Sequence, residues 1–570
     1  MRRKAGPGRA CIALVFCGAV AALTGVARAA DAGNVPGADA GHRGGTLRLV
    51  ASASAGTLDP QINYSAQYID LFANVYDGLT GFRKSLGDSG NDVVADLAEA
   101  LPVPRDGGRT WVFTLRRGVR FSDGREVTVA DVAASMRRLF RIGSPTAGAF
   151  YSAIVGADLC MKAPERCMLE GGVVTDAERN TVTFHLTAPD NEFLQKLAFT
   201  HASILPAGTP DHDIGNTPVA GTGPYRIVSY DPNGGMRLER NPWFRLWSGD
   251  AQPDGYADRI EYTFGIPDES AVTAVENGQY DWMYDQLPLD RLGELGARFT
   301  SQTHVSPHPV AYFAPMNVNI PPFSNEKARQ AVNYAMGRKA MVIFYGGSAL
   351  ARPLCDMIPS AIQGHVELCP YSAGADFGHP AARWQAPDLE RAKALVRESG
   401  TAGQKVTVIV SNGSVDLAMG NYMRDTLEEI GYRASVRALS PGIMFPYIQN
   451  SANHVQISLK SWAADYPSPS NFLDALLGCE NFHPGSDSSV NMPGFCDRAV
   501  QAVMDRAKSD VSLSAEQTLE LWREADARVM RLSPIAPVIE MNVVSLTSRR
   551  LGNFFYTNVY GLLFSKVWVQ

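Results

Sequence analysis

The chain has 570 residues, with 52 Lys and Arg against 58 Asp and Glu, a formal charge of −6, and 45% apolar residues. That length exceeds what one hydrophobic core supports, so at least two domains are expected. The acidic balance argues against a nucleic-acid partner, because such partners are held by basic patches.

The first nine residues are basic and carry no acid, and Ala10–Ala27 is uncharged and rich in small and apolar residues. Ala27-Arg28-Ala29 supplies the small-x-small pattern of a cleavage point, so residues 1–29 read as an export signal cut near Ala29. Eighteen uncharged residues also reach the lower limit of a membrane span, but the small-residue content and the A-x-A end favour removal. Phe16 before Cys17 lacks the small residue of a lipobox. Removal leaves 541 residues and moves the charge from −6 to −11, since Arg2, Arg3, Lys4, Arg9 and Arg28 leave and no acid does. No second long apolar segment follows, so a soluble exported protein is expected. Residues 30–43 are small, polar and Gly-rich, a flexible lead-in.

Six cysteines remain beyond the signal: Cys160 and Cys167, Cys355 and Cys369, Cys479 and Cys496. Six allow fifteen connectivities, and pairing between sequence neighbours is favoured because each loop is short and flanked by Pro or Gly. No C-x-x-C spacing or His cluster occurs, so no metal and no cofactor are expected.

Thr46–Val50 is the first strand, followed by Thr57-Leu-Asp-Pro60 and Tyr76-Asp-Gly-Leu79. Trp111 opens a strand that ends in a turn at Ser122-Asp123-Gly124. A helix follows over Val127–Phe140, with Thr128 and Asp131 as a capping box and Val132, Ala133, Met136, Leu139 and Phe140 as its apolar stripe. Arg137, Arg138 and Arg141 are expected on its solvated face. Thr181–Leu186 and Ile260–Phe264 read as strands, and Asn191–Ala198 and Ala271–Glu276 as helical. Gly221-Thr-Gly-Pro-Tyr225 is no phosphate loop, because no Lys follows and no helix opens.

Near His304 a new lobe begins, with a strand over Val310–Val318 and a helix capped by Ser324. Asp388–Glu398 is a capped helix. Val406–Val410, Leu417–Ile430 and Arg433–Leu439 form a βαβ unit with parallel strands. The alternating strand Val455–Leu459 then runs into Ser461–Leu473, SWAADYPSPSNFL. Pro467 and Pro469 force a turn where Trp462, Asp465 and Tyr466 emerge. Loops at strand ends carry ligands in open α/β folds, although a surface turn with a Trp plug and an Asp cap fits the same residues. Helices near Asp497–Lys508 and Ala515–Leu532, the second boxed by Ser514 and Gln517, precede strands over Ile535–Leu546 and Tyr560–Val569.

Four of these stretches share one resemblance. The L-D-P and Y-D-G-L pair, Trp111–Asp131, G-T-G-P-Y at 221–225 and the W-x-x-D of Trp462 to Asp465 resemble the family 5 substrate-binding proteins of ABC importers, the oligopeptide and dipeptide group. The resemblance implies an α/β, two-lobed periplasmic binding protein of class II, the large three-domain type with a hinged ligand cleft. By analogy lobe one comprises 44–80, 205–305 and 545–570, a small α/β domain at 81–204 is inserted in it, and lobe two spans 306–544. It further implies a periplasmic monomer that hands a small peptide or similar solute to membrane permease subunits. In the family the acid of W-x-x-D meets the peptide's α-ammonium and the indole packs on its side chains. This puts Trp462, Ala463, Ala464, Asp465 and Tyr466 at the ligand, with Tyr64 and Ser65 placed there by their spacing from L-D-P. The family also holds nickel, haem, sugar and antibiotic binders. No G-x-S-x-G, H-E-x-x-H or Walker loop occurs, so no enzyme is expected. The rivals are an exported hydrolase of cell-wall peptides and a chaperone with an open apolar groove.

Overall fold

The structure, a computed structural model, describes residues 40–570. The expected export signal and the first part of the lead-in, residues 30–39, lie outside the described residues.

A five-stranded mixed sheet carries the first core. Its order is 282–283, 46–50, 259–263, 235–240, 225–231, and Thr46–Val50 runs parallel to both of its neighbours. Leu47, Leu49, Tyr225, Leu238, Ile260 and Tyr262 are buried on it, and the helix Ala66–Phe72 adds Tyr68, Leu71 and Phe72. A second core belongs to the antiparallel sheet 110–114, 181–185, 173–176. The helix Val129–Arg141 packs there through Val132, Met136, Leu139 and Phe140 against Trp111, Phe113 and Phe184. Its N-terminus is boxed as the sequence predicts: Asp131 accepts from the Thr128 backbone N–H at 2.8 Å and from its hydroxyl at 2.7 Å.

Arg138 departs from expectation. It is not solvated: its side chain is 2% exposed and pairs with Asp59, which is 0% exposed. Asp59 is the acid of L-D-P, so this pair ties the helix to the loop after the first strand. The guanidinium also donates to Gln61 Oε1 at 2.9 Å and to the carbonyls of Pro210 and His212 at 2.7 and 2.9 Å. Full use of the planar fork is what makes such burial tolerable. Arg141 pairs with Asp211 nearer the surface.

Besides three two-stranded pairs among the described residues, the remaining chain builds two sheets. One is antiparallel, in the order 351–353, 535–546, 303–315, 460–463, and the other is parallel, in the order 433–439, 405–411, 457–458. The parallel pair is the predicted βαβ unit, with its helix at Ser414–Glu429. Thr303–Pro315 begins seven residues earlier than the predicted strand and pairs with Ile535–Leu546 from Thr303↔Leu546 to Pro315↔Ile535. Its lower end meets the first sheet, where Thr547 bridges to Trp282. Val50 and Met283 accordingly share a core with Val538, Val544 and Leu546.

Three further expectations are corrected. Val455–Leu459 is not one strand ending in a loop. Ile457–Ser458 joins the parallel sheet, and the chain then crosses at Leu459 into Lys460–Ala463, which joins the antiparallel one. Asn325, not Ser324, caps Glu326–Ala335, accepting from the Lys327 N–H at 2.9 Å, while the predicted face of Ala328, Ala331, Val332 and Ala335 is buried. Tyr560–Val569 is not one strand: Gly561–Leu562 pairs with Tyr556–Thr557, the chain turns over 564–566, and Trp568–Val569 pairs with Leu551–Gly552.

The cysteines pair as neighbours: Cys160–Cys167, Cys355–Cys369 and Cys479–Cys496. Loops of this size contribute roughly 2–4 kcal/mol each by restricting the unfolded chain.

Removing one partner of a buried, fully bonded ion pair leaves an uncompensated charge. Arg138→Met is therefore expected to destabilise the protein by about 3–5 kcal/mol in urea denaturation. A loss under ~1 kcal/mol, the surface-pair range, would contradict the structural role of Arg138.

Candidate functional site

The antiparallel sheet and the first sheet face one another across a cavity of about 730 Å³. One wall is the edge strand Lys460–Ala463 and the residues after it, and Trp462, Ala463, Ala464 and Asp465 all line the space. Opposite them stand Tyr64, Ala66, Ile69 and Asp70 from the first helix and the residue leading into it. Trp462 is therefore presented by a strand, held in register by Ala311, and not by a loop.

His308 and Pro309 enter the cavity where the ladder between the long strands is interrupted. Pro307 and Pro309 have no N–H to give, so the register slips between Pro307↔Asn542 and Ala311↔Glu540. The sequence S-P-H-P thus writes a bulge into the wall of the cavity.

Asn471 organises the Asp465 turn. Its Oδ1 accepts from the Trp462 indole N–H at 3.1 Å and from the Asp465 backbone N–H at 3.1 Å, and its Nδ2 donates to Asp465 Oδ2 at 3.0 Å. From the far wall the Tyr64 hydroxyl donates to Asp465 Oδ1. Tyr64 leans on Phe199 and His201, with ring centroids 5.7 and 5.2 Å away. His201 is buried between the Thr146 hydroxyl and the Asn63 carbonyl, and burial lowers it to about 4, so it is a neutral prop. Burial pushes the Asp465 carboxyl up, while the bonds from Tyr64 and Asn471 pull it back. No basic side chain pairs with Asp465 among the described residues.

Ser65 and Tyr466 stand outside the cavity lining. Ser65 caps the first helix, its Oγ accepting from the Tyr68 N–H and donating to Asn63 Oδ1. Tyr466 points the other way, into the core around Phe150 and Phe199. There its hydroxyl donates to Glu192 Oε2 at 3.2 Å, and Ser468 donates to Glu192 Oε1 at 2.5 Å. Burial raises the Glu192 carboxyl, with Lys196 acting against it. Nearby, Asn191 donates to the carbonyls of Ala507 and Asp510 at 2.9 and 3.2 Å. Tyr466 and Ser468, on either side of Pro467, thus reach a residue more than 270 positions away in the chain.

The model of the bacterial extracellular solute-binding proteins, family 5, middle region, matches residues 92–484. The chain belongs to that family. Among relatives of this family 5 protein, the glutathione-binding protein GsiB of Salmonella choleraesuis (strain SC-B67) is 24% identical over 510 residues, 88% of this chain and 90% of its own. That of Escherichia coli (strain K12) is 23% identical over 525 residues, 90% and 92% of the two chains. Among solved structures, clavulanic acid biosynthesis oligopeptide binding protein 2 is 24% identical and superposes with a TM-score of 0.81 over 93% of this chain and 96% of its own. The Helicobacter pylori binding protein DppA, solved with the peptide STSA, gives 0.69 at 18% identity over 93% and 98%. The fold is the two-lobed periplasmic binding protein of family 5.

Asn471, Glu192 and Asp70 were not singled out by sequence. Asn471 lies six residues after Asp465 at the start of the helix Ser470–Leu477, the one local signal available. Glu192 finds its partners more than 270 residues away, which no local pattern encodes.

If the Glu192 contact holds the walls together, Glu192→Ala opens the unliganded protein and enlarges its radius of gyration in solution scattering. Glu192→Gln keeps an acceptor for Ser468 and is expected to stay compact. Identical profiles for both variants and the parent would contradict this role.

Proposed function

We propose that this protein captures peptides, or another small solute bearing a free amine, in the interlobe cleft and delivers them to the permease of an ABC importer. In this reading it works as a periplasmic monomer, binds no nucleic acid and releases its ligand chemically unchanged. Lobe one comprises 44–80, 205–305 and 545–570, the inserted domain is 81–204, and lobe two is 306–544. The paired strands Thr303–Pro315 and Ile535–Leu546 then carry the hinge, and ligand is enclosed as the lobes close about it. The core around Ile260 lies within lobe one and most of the core around Phe113 within the inserted domain, in line with this division, while the core that joins Val50 and Met283 to Val538 and Leu546 crosses where the two lobes meet. The glutathione and peptide named for the relatives and neighbours both carry a free amine, in line with the reading.

The observation that carries the proposal is Asp465, a carboxylate on the cleft wall whose partners, Tyr64 and Asn471, are both neutral. An ammonium that loses its water in a closed cleft needs such a fixed anion. Trp462 beside it offers an indole face for an apolar side chain.

A charge-assisted hydrogen bond is worth roughly 1.5–3 kcal/mol, and each 1.4 kcal/mol is about tenfold in affinity. Asp465→Asn should therefore weaken binding of amine-bearing peptides at least about tenfold in calorimetry. Acetylating the amine should harm the parent protein and matter little to the variant. A parent protein indifferent to acetylation would overturn the amine assignment.

A further inference from the structure

The cleft contains a second carboxylate with less explanation than Asp465. Asp70 lies on the cleft-facing side of the first helix, one turn beyond Ala66, and lines the same cavity. It is 7% exposed. No hydrogen bond or ion pair reaches its side-chain oxygens among the described residues; only its backbone carbonyl is used, by the Asn74 amide at 2.9 Å. Its surroundings are Tyr284, Tyr556 and Gly561, all lining the cavity with it. Burial pushes its carboxyl well up, with no cation to pull it back.

On the Gly561 side the packing leaves room for the carboxylate and nothing more, while its other side borders the cavity. A Cβ on residue 561 would overlap Asp70 Oδ2, and the backbone there is left-handed, so both the space and the conformation ask for glycine. Asp285, the other acid on this wall, is occupied by the backbone N–H and hydroxyl of Ser52, both at 2.7 Å. Lys460 reaches the cavity from the opposite wall and does not pair with Asp70; its ammonium lies 4.5 Å from the Phe445 ring centroid. A buried carboxylate without a partner costs stability, and such groups in clefts mark binding sites.

We propose that Asp70 receives a cationic side chain of the bound peptide, an ammonium or a guanidinium, while Asp465 receives its terminal amine. The inference rests on the peptide reading of the cleft and adds a specificity for basic residues. Its physical basis is that a desolvated cation and a desolvated carboxylate each lose water on closure and recover it only from one another. The two acids sit on opposite walls, so a peptide with both charges would bridge the lobes.

The test uses the full exported protein and nine tripeptides: alanine backgrounds with lysine, arginine or norleucine at each of the three positions. Norleucine keeps the length and removes the charge. At one position at least, the lysine or arginine peptide is expected to bind tenfold or more tightly than its norleucine counterpart. Asp70→Asn should abolish that advantage and leave norleucine peptides within about twofold of the parent. Equal binding of basic and norleucine peptides at all positions overturns the assignment, as does an advantage that survives in Asp70→Asn. Asp70→Ser, screened by melting temperature, replaces Asp70→Asn should the latter misfold, and the discrimination shown by the parent protein decides without either variant. If peptides bind and respond to acetylation but not to basic residues, only the role of Asp70 fails. If no tripeptide binds the folded parent, the peptide reading fails and this inference with it.

Discussion

The ladder between Thr303–Pro315 and Ile535–Leu546 is the constraint on which the rest of the molecule depends. Its lower end abuts the first sheet at Trp282 and its upper part is the centre of the antiparallel sheet, so one pair of strands, interrupted at the Pro307–Pro309 bulge, spans both halves. Three features of the cleft hang from it. The strand carrying Trp462 is paired to it at Ala311, the Pro307–Pro309 bulge puts His308 into the cavity, and Met541 to Ser545 form the cavity's back wall. Backbone ladders resist slippage wherever one face is buried, and here Ala311, Phe313, Val538 and Ile539 are all buried. The strand that carries Trp462 is thereby held in register against this ladder.

Electrostatically the cleft is unfinished. Asp465 is satisfied by neutral donors from both walls, and Asp70 by none. Closure over water leaves these acids desolvated and poorly compensated, whereas closure over a cation compensates them. Such a differential is what allows a ligand to shift a conformational equilibrium, since a ligand that binds open and closed forms equally shifts nothing. The contacts of Glu192 with Tyr466 and Ser468 tie the residues after Asp465 to the core around Phe150 without entering the cavity lining.

Much of the fold was legible in the sequence because it is written locally. Thr128 with Asp131 and Ser514 with Gln517 form the capping boxes that their spacing predicts, and the parallel unit of 405–439 follows from periodicity and Gly431. What escaped was decided by distant partners. Arg138 carries no local mark distinguishing it from Arg137, and its burial is set by Asp59, 79 residues earlier. Trp462 reads as loop because two prolines follow it, yet its pairing with Ala311 makes it strand. At the site, the W-x-x-D spacing brought Trp462 and Asp465 to one wall, and Tyr64 met them from the other. Ser65 and Tyr466 were drawn away by nearer obligations, a helix cap and a buried carboxylate.

The central claim is that the cleft encloses an amine-bearing solute and returns it intact. Native mass spectrometry of protein purified gently from the periplasm, followed by denaturation and amine-specific labelling of what is released, addresses it most directly. The account predicts a noncovalent adduct whose released component takes the amine label, fits a cavity of about 730 Å³ and keeps its mass after prolonged incubation with fresh protein. A released component without an amine, or one whose mass changes on incubation, would contradict it.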